Sequence, residues 1–369
     1  MQGSPTDGTG GPAGARPPAA ALGSGSIATT AIGPLTLDDG TRLPDVLVAW
    51  RHDGLPPPAP QVLVVHALTG SADAAGDWWA PLIGPGMAID TRTHGVLCAN
   101  LLGSRYGTTG AASIDPATGA PWGARFPAVT PREQADVLWR LADALGIPGF
   151  AVVTGGSLGG MVALEAGLLR PDATGLLAII AAPAATGALA IAWNHLQVRL
   201  VERLGVEGLA LARQIAMTTY RSETDFDARF GRGREDDGRF SIVSYLEHQG
   251  TKIVDRFDPD TYRVLAEAMD RHDIGAGRGG IDAALATLAG RVPLAAIGIE
   301  DDILYGPRQV RALADAAVAA GVAATYREIR STKGHDAFLV EWDQLTAIFR
   351  TLLAAAGRPA DAEGASVRA

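Results

Sequence analysis

Cysteine is all but missing from this chain. Cys98 is the only one among 369 residues, so no disulfide can close within it, and a reducing compartment, the cytoplasm, is the expected setting. No apolar run approaches the ~20 residues that a membrane helix needs, so no membrane partner is expected. Basic charge is not in excess either. A net charge of −9 argues against nucleic acid or an anionic lipid surface, both of which reward clustered Lys and Arg. No His/Cys cluster has metal-ligand spacing, so neither a metal nor a bound cofactor is expected. There is no internal repeat. Residues 1–28 are rich in Gly, Pro, Ala, Ser and Thr and lack the basic start and apolar centre of a secretion signal. They are expected to form a disordered tail, as are residues 357–369.

What remains is ordinary for a globular enzyme: 47% apolar and 19% charged residues, in a chain long enough for one large domain and an inserted subdomain. Short apolar runs at Gln61–His66, Gly95–Ala99, Phe150–Thr154, Leu176–Ala181 and Pro293–Ile299 have the uninterrupted character of strands buried on both faces. Helix-period segments at Pro131–Leu145, Leu158–Leu169 and Pro307–Ala320 lie between them. That alternation predicts an α/β fold with a mostly parallel central sheet and helices on both faces. The stretch 185–290 breaks the alternation with helical patterns and many charges. It is expected to be a helical cap inserted into a catalytic domain formed by 29–184 and 291–356.

The sequence Gly155-Gly156-Ser157-Leu158-Gly159 joins an expected strand to an expected helix. This is the setting in which G-x-S-x-G forms a nucleophile elbow, the mark of the α/β-hydrolase fold. Glycines two residues before and after the serine allow a turn too tight for bulky neighbours. Ser157 is then raised above the sheet, and the Leu158 N–H is left free at a helix N-terminus to bind an oxyanion. A serine hydroxyl needs a base. Of seven histidines, His335 alone follows His272, and it comes just after the expected strand Ala324–Ile329. An acidic partner should follow the preceding strand, where Glu300, Asp301 and Asp302 all stand. The order Ser, Asp, His suits this fold, but spacing does not choose among the three. The second oxyanion donor is expected in the loop His66–Gly70, at the Leu68 N–H. The His66 ring is expected to shape that loop by hydrogen bonding.

Taken in order, these residues resemble the homoserine O-acetyltransferase family. The matching segments include His66-Ala-Leu-Thr-Gly-Ser71, Asn100-Leu-Leu-Gly103 and Gly107-Thr-Thr-Gly110. They continue through the elbow, Arg256-Phe-Asp258, His272-Asp273, Asp302-Ile-Leu-Tyr305 and Gly334-His-Asp-Ala-Phe-Leu339. The resemblance runs from about Leu43 to Phe349. It selects Asp302 as the acidic member and implies that Arg213, in Leu211-Ala-Arg213, and Asp336 hold an amino-acid substrate by its carboxylate and ammonium. It further implies acetyl transfer from acetyl-CoA to the homoserine hydroxyl through an acyl-Ser157 intermediate, and a homodimer formed through cap helices around Val198–Leu211. Serine as acceptor, succinyl-CoA as donor, or water in place of the acceptor would use the same triad. The sequence departs from the family between Ala190 and Gly208, where a longer segment is compressed, and at Thr109-Gly110-Ala111, where the family has Thr-Gly-Pro. Both departures bear on substrate identity and leave the triad untouched.

Overall fold

The computed structural model describes residues 22–356. Its centre is an eight-stranded sheet. The strands are β1 (Ser24–Ala31), β2 (Leu47–Gly54), β3 (Gln61–Val65), β4 (Gly95–Ala99), β5 (Val152–Gly156), β6 (Leu177–Ile180), β7 (Leu294–Ile299) and β8 (Ala324–Ile329). They lie in the order β1-β2-β4-β3-β5-β6-β7-β8. β2 is antiparallel to both its neighbours, and every other pair is parallel. The helices among the described residues are α1 (Pro131–Leu145), α2 (Leu158–Leu169), α3 (Ala188–Leu204), α4 (Val206–Tyr220), α5 (Glu223–Arg229), α6 (Ser241–Val254), α7 (Pro259–Asp270), α8 (Ile281–Ala286), α9 (Pro307–Ala319) and α10 (Trp342–Ala356).

Successive residues of the central strands point to opposite faces and feed two packed layers. Leu63, Val65, Leu97, Val153 and Ile179 join one layer with α1, α2 and α9. Val62, Val64, Val96, Ala178 and Ile180 join the other with α10 and the buried Trp79. β3 to β7 are buried at every residue, which is why they read as continuous apolar runs rather than as alternating ones. The predicted bounds of β4, β8, α1 and α2 are met. β5 starts and ends two residues later than expected, because its last residues are glycines that carry no apolar signal.

One expectation is corrected at the N-terminus. The tail expected over 1–28 ends earlier, because Ser24–Ala31 pairs with β2 as an edge strand; residues 1–21 and 357–369 lie outside the described residues. The expected insertion contains α3 to α8 between β6 and β7 and adds no strand to the sheet. The compressed stretch 190–208 is accommodated by a one-residue turn between α3 and α4, where Gly205 adopts φ 57°. The two helices then pack so closely that a Cβ on Gly208 would lie 2.0 Å from the Leu200 carbonyl oxygen. No helix among the described residues is long and apolar enough to cross a membrane.

Candidate active site

The turn from β5 to α2 holds Ser157 at φ 58°, ψ −128°. A left-handed φ is uncommon for a residue with a Cβ and marks a turn imposed by its surroundings. The Ser157 N–H is anchored to the Ile180 carbonyl at 3.0 Å, and the Ser157 carbonyl accepts from the Gly160 and Met161 N–H groups. The flanking glycines are sterically required. A Cβ on Gly155 would meet the Gly159 carbonyl at 2.5 Å, and one on Gly159 would meet the Val65 oxygen at 2.2 Å. Leu158 opens α2, so its N–H has no acceptor within the helix.

His335 lies in the turn Gly334–Leu339 after β8. Its Nδ1 is 2.7 Å from Asp302 Oδ2. The Leu304 and Tyr305 N–H groups donate to the other carboxylate oxygen at 2.8 and 3.1 Å, so Asp302 is fixed from both sides. Of the three acidic residues left open by spacing, Asp302 is the buried one; Glu300 is exposed and Asp301 half-buried. The rings of Tyr220, Tyr305 and Phe338 surround the imidazole at 5.9, 5.6 and 5.6 Å. Its Nε2 is buried and has no hydrogen-bond partner among the described residues, and it belongs to a residue lining the same pocket as Ser157. Burial pulls the imidazole pKa down, but the charge and hydrogen bond of Asp302, with the charge of Asp336 behind them, outweigh it and raise the pKa overall.

The loop after β3 forms another wall. Leu68 lines the pocket, whereas the His66 ring is fully buried behind it. The Leu101 N–H donates to His66 Nε2 at 3.0 Å, so the ring proton resides on Nδ1, which donates to the Ala67 carbonyl at 2.8 Å. Burial pushes the His66 pKa down to about 4, against that carbonyl contact. The ring is thus a neutral brace for the loop, in the shaping role that the sequence predicts. Among the described residues no group of three or more His, Cys, Asp or Glu could hold a metal ion.

Residues 60–341 match the family model of the alpha/beta hydrolase fold. A homoserine O-acetyltransferase of Moorella thermoacetica is 40% identical over 350 residues, which cover 86% of this chain and 93% of that protein. The chain belongs to the homoserine O-acetyltransferase family. Two solved structures show how widely the fold is shared. Esterase E22 superposes with a TM-score of 0.80 over 89% of this chain and 99% of its own, and the homoserine O-acetyltransferase of Bacillus anthracis with 0.81 over 89% and 97%. Both are 21% identical, so this likeness speaks for the fold and not for the substrate.

Both residues that the family resemblance singles out for substrate, Arg213 and Asp336, line the pocket that holds Ser157 and His335. Arg213 projects from α4 with its guanidinium 5.3 Å from the Tyr220 ring centroid, and among the described residues it forms no ion pair within 4.0 Å. The compression of the preceding cap segment has therefore not removed it from the site. Asp77, Trp78, Tyr220 and Arg256 also line it; Arg256 stands in a segment that matches the family but carries no expected role in the sequence, and the other three carry none either. For Tyr220 a signal exists: it stands seven residues after Arg213, two turns along the same helix face.

Proposed function

We propose that this protein moves an acetyl group from acetyl-CoA to the hydroxyl of L-homoserine, with Ser157 as nucleophile, His335 as general base and acid, and Asp302 orienting the imidazole. One observation supports this reading above the others. A single pocket is lined by Ser157 and by His335, whose ring is held by Asp302, and it also presents the guanidinium of Arg213 and the carboxylate of Asp336 beside a second charged pair, Arg256 and Asp77; Arg213 and Asp336 are suited to an amino acid's carboxylate and ammonium.

In the first half-reaction His335 Nε2 takes the Ser157 proton while Oγ attacks the thioester carbonyl. The oxyanion is stabilised by the Leu68 and Leu158 N–H groups. Collapse breaks the C–S bond, and His335 returns the proton to the departing CoA thiolate. In the second, His335 takes the acceptor's hydroxyl proton, that oxygen attacks the acyl-Ser157 carbonyl, and the acetyl ester leaves as Oγ regains its proton. The scheme uses no metal or resident cofactor.

Acetyl-CoA alone should release one equivalent of CoA per enzyme in a burst, followed by slow hydrolysis. Mass spectrometry should then find one acetyl group on the Ser157 peptide. Transfer that requires both substrates at once, with no trapped acyl form, would exclude this scheme. Steady-state rates with homoserine, serine and water as competing acceptors identify the acceptor, and replacing acetyl-CoA with succinyl-CoA identifies the donor.

Arg213→Ala should divide the two half-reactions. Losing a charge-assisted contact to the acceptor carboxylate costs ~2–4 kcal/mol. The acceptor kcat/KM should therefore fall by about 30- to 1000-fold, while acylation by acetyl-CoA proceeds nearly as before. Equal slowing of both would make Arg213 a support of the cap instead.

A homodimer packed through cap helices around Val198–Leu211 belongs to the same proposal. Within that stretch Val198, Val201 and Leu209 are buried in the protomer, while Leu204 and Val206 are exposed, as are Leu189 and Leu196 earlier on α3. These exposed residues are the apolar surface available to a second copy.

A further inference from the structure

Two segments far apart in sequence are locked together beside the pocket: the cap turn 220–225 and the loop 331–336 that carries His335. The Ser222 hydroxyl caps α5 by accepting from the Asp225 N–H at 3.1 Å and donates to the Thr332 carbonyl. Gly334, at φ 68°, leaves no room between the segments; a Cβ there would be 2.7 Å from the Ser222 nitrogen. Asp225, with a side chain only 1% exposed, draws three cations: Lys333 at 2.8 Å, Arg229 at 3.6 Å and Arg221 at 3.7 Å.

Arg221 connects this cluster to the pocket. One end of its guanidinium faces Asp225, and its Nε lies 3.3 Å from Asp336 Oδ2. The contact is an ion pair without an aligned hydrogen bond, since Arg221 Nε has no hydrogen-bond partner among the described residues. The Asp336 carboxylate thus gains the attraction of a cation while its oxygens keep their capacity to accept from a ligand.

We propose that Arg221 is a positioning residue for the amino-acid acceptor: from the cap turn it supports the Asp336 carboxylate electrostatically and leaves that carboxylate's accepting sites for the substrate ammonium. The inference rests on Asp336 as the ammonium's partner. The physical need is plain. Burial favours the neutral acid at Asp336, and a neutral acid binds ammonium poorly; Arg221, His335 and Arg213 oppose that tendency, while Asp302 adds to it, and the Asp336 pKa is raised on balance. Tyr220, the other titratable group facing it, has its own pKa raised chiefly by burial. Arg221 is the one cation within 4.0 Å of Asp336 among the described residues, and the acceptor's carboxylate is not proposed to engage it.

The test compares Arg221→Met, Arg221→Lys and Asp336→Asn in both half-reactions across pH, each by rapid quench on the intact enzyme. Arg221→Met should raise the acceptor KM on the order of tenfold, with a loss in acceptor kcat/KM several times larger than any loss in acylation. Removing a cation that favours ionised Asp336 should also move the acid limb of the acceptor half-reaction to higher pH. Acylation, which uses His335 and which Asp336 reaches only through its charge on that ring, supplies the reference limb, and the shift is read as the difference between the two limbs. Arg221→Lys should restore most of both effects. If Arg221→Met leaves acceptor KM and limb in place while Asp336→Asn raises KM, the role of Arg221 is wrong and that of Asp336 stands. If Asp336→Asn leaves acceptor KM unchanged, the ammonium site lies elsewhere and both assignments fall. Equal slowing of the two half-reactions with no relative shift of the limbs would reduce Arg221 to an anchor of the cap and overturn the proposal. Should Arg221→Met not fold, Arg221→Gln removes the charge with less loss of polar contact and is judged by the same outcomes.

Discussion

Ser157→Ala should lower turnover by a factor of about 10⁴ to 10⁶ and leave the thermal unfolding temperature close to that of the parent. The first expectation follows from the loss of the hydroxyl proposed to carry the acyl group. The second follows from how the elbow is held. The left-handed backbone of residue 157 is fixed by the Ile180 carbonyl and by the first turn of α2, and alanine retains all of those contacts. Activity is measured as CoA release with homoserine present, and stability by calorimetry on the same preparation. A variant keeping a tenth of parental activity would displace Ser157 from the nucleophile's role.

Asp302→Asn should cost about 10⁴ in kcat with the fold intact, and the geometry explains why the amide cannot rescue itself. Leu304 and Tyr305 both direct N–H groups at Oδ1. That position must remain an acceptor, so the asparagine oxygen is held there. Its NH₂ is then directed at His335 Nδ1, which must accept, and the imidazole proton moves to Nε2. A protonated Nε2 cannot receive the Ser157 proton. Asp301→Asn, in the same loop and half-buried, should retain most activity. Reversal of the two outcomes would shift the acidic partner by one residue.

The sheet, the elbow and the order of serine, acid and base were legible because each rests on a local rule. Apolar runs give buried strands, and Gly155 and Gly159 give a turn that admits nothing larger. Selection of Asp302 over its neighbours was not legible from spacing. It depends on a turn in which the carboxylate caps the N–H groups of residues 304 and 305, and only that hydrogen bonding turns it inward. Strand β1 is not legible because Ser24–Ala31, apart from the exposed Ile27, is made of small and polar residues on an exposed edge, with little apolar alternation to read. Arg221 was hidden for a different reason. Its meaning arises from Asp336, which only the docking of the cap turn on the loop 331–336 brings to it, while Asp225 lies four residues on in the same turn.

The lone thiol has a practical consequence. Cys98 is enclosed within the sheet and its pKa is raised by that burial, so chromogenic thiol reagents should report released CoA with almost no signal from the folded protein. The same silence makes the native enzyme a clean background for site-directed labelling. A single cysteine introduced at exposed Leu196 or Leu204 would be the one reactive site, and dipolar distances between spin labels there would measure how two copies of α3 are arranged in solution.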